Sequence, residues 1–149
     1  MKAVVQRVLR ASVSVDGEIV GQCGRGMLLL VGVHTNDTRE NAIKLAEKIA
    51  RLRIFDDEAG KINLALNDLE SQNKSQILAI SNFTIYGDTT KNRRPSFIQS
   101  ASYDQGLELF NCFVDALRNN DATVETGIFG AEMQVDLINH GPVTLIVEC

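Results

Sequence analysis

The chain has 149 residues, 44% of them hydrophobic and 23% charged, with a formal net charge of −4. That is one domain's worth of sequence with enough apolar material for a core. The acidic balance argues against broad electrostatic binding along a nucleic-acid duplex, and no apolar run approaches the roughly 18 residues that a membrane-crossing helix needs.

The charge is uneven. Residues 1–53 carry nine Lys/Arg against five Asp/Glu, and residues 54–149 carry six against fourteen. Cys23, Cys112 and Cys149 are odd in number and widely spaced, with no C-x-x-C, which suits reduced thiols in a cytoplasmic protein. His34 and His140 lack metal-ligand spacing, so no metal site is expected. The opening Met1–Arg7 breaks its apolar run at Gln6 and Arg7 and does not read as a signal peptide.

In chain order, Ala3–Val8 predicts a buried strand. Val13–Val20 alternates apolar and polar residues on both sides of Asp16-Gly17, the pattern of a hairpin with a type I′ turn. Gly21-Gln22-Cys23-Gly24-Arg25-Gly26 has the wrong spacing for a nucleotide loop and precedes a strand, so it reads as a connection. Met27–Val33 is the most apolar run and predicts a central strand. Asp37 with Glu40 three residues on suggests a capping box. It opens a helix whose buried stripe is Ala42, Leu45, Ala46, Ile49 and Leu52. Glu40–Lys44 and Glu47–Arg51 are spaced as helix-stabilising pairs.

Arg53–Phe55 predicts a short strand, Asp56–Lys61 an exposed turn without EF-hand ligand spacing, and Asp68–Ser75 a polar loop. Ser71 and Lys74 form an isolated S-x-x-K that no companion motif supports. Gln76–Gly87 predicts a second long apolar strand, and Lys91–Pro95 a basic loop. Ser102-Tyr103-Asp104-Gln105 opens a second helix that buries Phe110, Phe113, Val114 and Leu117. Strands near Thr123–Glu125, Glu132–Ile138 and Val143–Glu148 close the chain, the last two separated by a Gly-Pro turn. The expected fold is a single α+β domain over residues 1–149. It has a mostly antiparallel, barrel-like sheet with two main helices against it.

Standard catalytic apparatus is thin: there is no nucleophile elbow, P-loop or metal cluster. Two stretches stand out. Ser81-Asn82-Phe83-Thr84 brings polar groups to the end of a core strand. Asn139-His140-Gly141-Pro142-Val143-Thr144 places two carbonyls beside a proline that donates no N–H, so they are open to accept from another group.

Together these stretches resemble the Ser-Gln-x-Thr-Leu and Asn-x-Gly-Pro-x-Thr signatures of D-aminoacyl-tRNA deacylases. The resemblance extends to Met1–Val8, the Phe55–Asn63 turn, Arg94-Pro95-Ser96-Phe97 and the chain length. It implies a cytoplasmic homodimer in which a cis Gly141–Pro142 segment enters the partner's active site and selects chirality. It implies hydrolysis of the ester between a D-amino acid, or glycine, and the 3′ adenosine of tRNA, with no metal or organic cofactor. The catalytic stretch it implies is Ser81, Asn82, Phe83 and Thr84. With no base in reach to make it a nucleophile, Thr84 is read as a group that positions the substrate or polarises its carbonyl, an attacking role for it staying open, and the N–H groups around Phe83 and Thr84 are the candidates for an oxyanion hole. Phe83, Met133, Asn139, Thr144 and Arg7 are assigned to the substrate and adenosine side, with Arg7 bracing the Gly-Pro segment. Lys91, Arg93 and Arg94 suit phosphate contacts.

Two features leave other readings open. Asn82 stands where the family has Gln, one methylene longer. A trans Gly-Pro relative that tolerates L-alanine is one alternative reading. The missing general base makes a non-catalytic dimeric protein that binds a small ligand or an RNA end another.

Overall fold

The computed structural model describes residues 1–69, 76–90 and 93–149. The S-x-x-K at Ser71 and Lys74, most of the polar loop before Gln76, and Lys91 lie outside them. The described elements are β1 (Lys2–Val15), β2 (Glu18–Cys23), β3 (Gly26–Gly32), α1 (Arg39–Ala50), β4 (Phe55–Asp56), β5 (Ile62–Leu64), β6 (Ile77–Ser81), α2 (Tyr103–Arg118), β7 (Val124–Thr126) and β8 (Gln134–Glu148). Two short 3₁₀ turns lie at Leu66–Asp68 and Phe83–Tyr86.

β1 organises the sheet. On one edge its first half pairs antiparallel with β3, from Lys2 opposite Gly32 to Val8 opposite Gly26. Its second half pairs with β2, from Ala11 opposite Cys23 to Val15 opposite Glu18. Its other edge carries β8 along almost its full length. Beyond β3, the strands β6 and β7 add in parallel, two short ladders on a sheet that is otherwise antiparallel, as the sequence suggested.

The sheet curls until β7 returns to β2, giving a nearly closed barrel. The Gln22 N–H donates to the Glu125 carboxylate at 2.8 Å. A Cβ on Gly21 would lie 2.4 Å from the Thr126 carbonyl oxygen, so only glycine admits this approach. The β1–β2 turn takes the expected form, with positive φ at Asp16 (51°) and Gly17 (83°).

Two layers of core follow. The helices cover one face of the sheet, where Ala3, Val5, Met27, Leu29, Ile77 and Ala79 meet Leu45, Ile49, Phe110, Phe113 and Leu117. The inside of the curl holds Val8, Ala11, Val13, Leu28, Leu78 and Ile80. β3 is buried on both faces, which explains its unbroken apolar run.

The start of α1 departs from the expected cap. Thr38, not Asp37, is the N-cap residue, and its N–H and hydroxyl both reach Asn41 Oδ1, at 2.9 and 2.8 Å. Asp37 is committed elsewhere: its carboxylate takes the Met1 ammonium at 2.6 Å and the His34 N–H at 2.6 Å. Glu40 pairs with Lys44 at 2.6 Å; among the described residues Glu47 and Arg51 form no ion pair. α2 opens as expected, with the Ser102 hydroxyl accepting from the Gln105 N–H. Among the described residues, no helix is long and apolar enough to cross a membrane.

Candidate active site

The strand expected over Gln76–Gly87 stops early. β6 ends at Ser81, and the Asn82 N–H makes a last sheet-type bond to the Val31 carbonyl at 2.8 Å. The chain then turns into a short 3₁₀ segment over Phe83–Tyr86, capped by Asn82. The cause is local. The Asn82 side-chain oxygen accepts from the Thr84 N–H at 3.2 Å and from the Thr84 hydroxyl at 2.5 Å. This side-chain-to-backbone bond competes with continuation of the strand. The turn packs closely on β3, where a Cβ on Gly32 would lie 3.0 Å from Ile85 Cβ. From the far side, the Ser100 hydroxyl holds the Phe83 carbonyl at 2.8 Å. Among the described residues the Phe83 N–H has no acceptor, whereas the Thr84 N–H is taken.

A cleft of about 540 Å³ opens where this turn leaves the sheet. Leu30, Ile80, Met133 and Val135 continue the barrel interior as its apolar wall, Tyr103 and Phe129 close it from the α2 side, and Ser81, Asn82 and Phe83 line its polar end. The Tyr103 and Phe129 rings meet edge-on at 5.1 Å, and Phe83 meets Phe97 in the same way at 5.1 Å. Phe83 is 59% exposed, so its ring is presented at the mouth and is not core packing.

The Gly-Pro segment forms a second group. It is not the turn between two strands that the sequence suggested. β8 runs through it as one strand, but between Gln6–Thr144 and Val8–Asn139 the register with β1 breaks and residues 140–143 bulge out. The Gly141–Pro142 peptide bond is cis, as the resemblance implied, and both residues are exposed.

The bulge is held from beneath by Arg7, which is 3% exposed. Its Nε donates to the His140 carbonyl at 3.1 Å. Its terminal nitrogen donates to the Ile54 carbonyl at 2.8 Å and to the Asp56 carboxylate at 3.0 Å. The Asn139 amide closes the base of the bulge, donating to the Arg7 and Val143 carbonyls at 3.0 and 3.1 Å. Gln6 donates to the Thr144 hydroxyl at 3.3 Å. Asn139 and Thr144 therefore serve the shape of the bulge.

Of the residues expected at the site, Ser81, Asn82, Phe83 and Met133 share the cleft. Thr84 is exposed at its rim and is not part of the lining. Arg7, Asn139, Gly141, Pro142 and Thr144 are gathered at the outer edge of β1, away from the cleft lining of the same chain. His140 contributes its carbonyl; its ring Nδ1 is buried without a partner among the described residues. Sequence reasoning missed Tyr103 and Phe129, because aromatic rings at a helix start and in a loop carry no spacing signal. It also missed Asp56, which it placed in an exposed turn.

Neither Cys23 nor Tyr86 is an activated nucleophile. Burial pushes the Cys23 thiol up to about 11. Burial, aided by Asp37 and Glu148, pushes the Tyr86 hydroxyl up to about 12. Among the described residues no cluster of three or more His, Cys, Asp or Glu side chains could hold a metal ion.

Residues 4–148 match the family model described as D-Tyr-tRNA(Tyr) deacylase. A D-aminoacyl-tRNA deacylase of Bacillus cereus (strain B4264) is 53% identical over 148 residues, 99% of each chain. One of Geobacillus sp. (strain WCH70) is 51% identical over 99% of this chain and 95% of its own length. Among solved structures, one titled "c-Myc DNA Unwinding Element Binding Protein" superposes with a TM-score of 0.91 at 38% identity, covering 100% of this chain and 99% of that one. A probable eukaryotic D-amino acid tRNA deacylase shares the fold, with a TM-score of 0.77 at 16% identity over 99% of this chain and 98% of that one. A match that takes in β1, the capped turn after β6 and the braced Gly-Pro bulge together places this chain in the D-Tyr-tRNA(Tyr) deacylase family.

Proposed function

We propose that the protein hydrolyses the ester of D-aminoacyl-tRNA in the cytoplasm, releasing the free D-amino acid and tRNA with a free terminal hydroxyl. Membership of the family, with relatives of that activity at 51% and 53% identity over nearly the whole chain, carries this reading. The cleft fits the substrate's end. It is apolar and partly aromatic, its mouth carries an exposed Phe83 ring suited to packing on an unstacked base, and its polar end holds a free main-chain donor.

In this reading water adds to the ester carbonyl and the bond from that carbon to the ribose oxygen breaks. The Phe83 N–H receives the charge that develops on the carbonyl oxygen. The Thr84 N–H does not share that work, because Asn82 already holds it. Among the described residues no side chain lining the cleft is a clear general base, so the neighbouring ribose hydroxyl of the substrate takes part in the proton transfer.

An enzyme that accepts many D-side chains must read what they share: ammonium, Cα and carbonyl. Main-chain carbonyls at Gly141 and Pro142 suit this, holding the ammonium and crowding the direction that an L-side chain would take. Within one chain these residues stand apart from the cleft, so we assign them to the cleft of a second copy. The exposed Ile138, Leu145 and Ile146 beside the bulge on β8 are the apolar surface for that homodimer. Glycine has no side chain to exclude, so glycyl-tRNA is accepted too.

The test is deacylation of D-tyrosyl-tRNA beside L-tyrosyl-tRNA, with chelator present. Loss of the D-ester alone is the expected result. Loss of neither would leave a binding protein without turnover. Loss of both would mean that the Gly-Pro segment does not act as a chiral gate.

A further inference from the structure

We infer that Asp56 is a specificity-determining positioning residue, acting on the Gly141–Pro142 segment through Arg7. The inference rests on the reading of that segment as the chiral gate.

Arg7 occupies an inward position of β1, in line with the buried Ala3 and Val5, where an apolar residue would ordinarily sit. A guanidinium there must be hydrogen-bonded and paired. Among the described residues it has two neutral main-chain acceptors, the Ile54 and His140 carbonyls, and a single carboxylate, that of Asp56 at 3.0 Å. Without Asp56 the cation would be buried with no counter-charge, and the least costly response is for the side chain to swing toward water. The His140 carbonyl, one residue before Gly141, would then lose its donor from beneath the bulge.

Asp56 is itself fixed. It lies on β4, which pairs with β5 through Phe55–Leu64 and Asp56–Ile62. The turn between them is tied by the Asp57 side chain, which accepts from the Ala59 and Lys61 N–H groups at 3.0 Å each. Arg53 is joined to Asn63 across the same hairpin, through both the carbonyl and the side-chain oxygen. A two-stranded element outside the main sheet thus holds one carboxylate at the spot where Arg7 needs it. The position of the bulge on β8 is in this way set from β4.

The experiment compares initial deacylation rates on D-tyrosyl-tRNA and L-tyrosyl-tRNA for the wild type, Asp56→Asn, Asp56→Glu and Pro142→Ala. The ratio of the two rates does not depend on how much of each preparation is folded, so destabilisation alone leaves it unmoved. Asp56→Asn is expected to raise the L-to-D ratio by about tenfold or more, the scale set by a hydrogen bond to a charged group. Asp56→Glu, which restores the charge, should recover most of the wild-type ratio. A changed ratio in Pro142→Ala with an unchanged ratio in Asp56→Asn would overturn the role of Asp56 while leaving the gate standing. Unchanged ratios in both would remove the gate reading and Asp56's role with it.

Discussion

Asn82 and Thr84 form a closed pair in which one amide oxygen takes both the N–H and the hydroxyl proton of Thr84, at 3.2 and 2.5 Å. A threonine hydroxyl has a single proton to give, and here it is spent. Thr84 is therefore poorly placed to polarise an ester carbonyl. The amide oxygen of Asn82 is no base, so nothing in the pair prepares Thr84 to attack. Thr84→Val should keep the N–H bond, lower kcat by less than about tenfold, the scale of one neutral hydrogen bond, and accumulate no acyl-enzyme. Single-turnover kinetics with intact-mass detection checks both. A trapped acyl group on Thr84 would reverse the assignment.

The same pair gives a meaning to the Asn that replaces the family's Gln. A ring from side-chain oxygen to the N–H two residues on suits Asn, Asp or Ser, as at helix N-caps. A Gln oxygen is one methylene too far out to close the same ring. Asn82→Ser should keep the turn, whereas Asn82→Gln and Asn82→Ala should each cost about 1 kcal/mol and speed amide exchange at Thr84. Urea unfolding and hydrogen exchange read the two effects separately. A Gln variant as stable and as protected as the wild type would mean that the turn is held by other contacts.

Gly26, the first residue of β3, is a packing feature. A Cβ on Gly26 would lie 1.8 Å from the Gln76 carbonyl oxygen, the atom that accepts the Met27 N–H at 2.9 Å where β3 and β6 begin to pair. Gly26→Ala must push the two strands apart at a buried junction. We expect a loss of about 3 kcal/mol or more, at the upper end for overpacking. A denaturant midpoint within error of the wild type would show that the junction can shift without cost.

Much of this architecture was legible in the residues. The Asp16-Gly17 hairpin, the central strand over Met27–Val33 and the stripes of both helices follow from turn chemistry, an unbroken apolar run and helical periodicity. What was hidden has a common cause: contacts between residues distant in sequence override local pattern. Asp37 looks like a helix cap, but the Met1 ammonium and the His34 N–H outbid that role. Gln76–Gly87 keeps an apolar strand pattern past the point where Asn82 folds the backbone away. Gly141-Pro142 reads as a turn, yet β8 passes through it, because β1 supplies partners on both sides. The cleft was half visible, since Ser81–Phe83 fall in one motif, whereas Tyr103 and Phe129 arrive only through the packing of α2 on the sheet. Asp56 sits in an ordinary acidic turn, and its role exists only because Arg7 lies beneath the bulge.

Cys23 makes the alkaline limb of stability a readout of the barrel interior. Its thiol ordinarily titrates near 9.0, and burial raises that to about 11 in the folded chain. Below pH 9 both states hold the proton and nothing changes. Between pH 9 and 11 the unfolded chain releases it while the folded chain keeps it, so the unfolded state binds fewer protons and stability falls as pH rises. The shift corresponds to about 2–3 kcal/mol lost across that window. Tyr86, raised in the same direction to about 12, adds a drop of the same sign at higher pH, softened by its partial exposure. Cys23→Ala should flatten the slope between pH 9 and 11 while lowering stability at neutral pH through lost packing. Unfolding free energies for both chains at pH 7, 9 and 11 decide it. Parallel curves would mean that the thiol is open to hydroxide and that the interior near β2 is wetter than its burial implies.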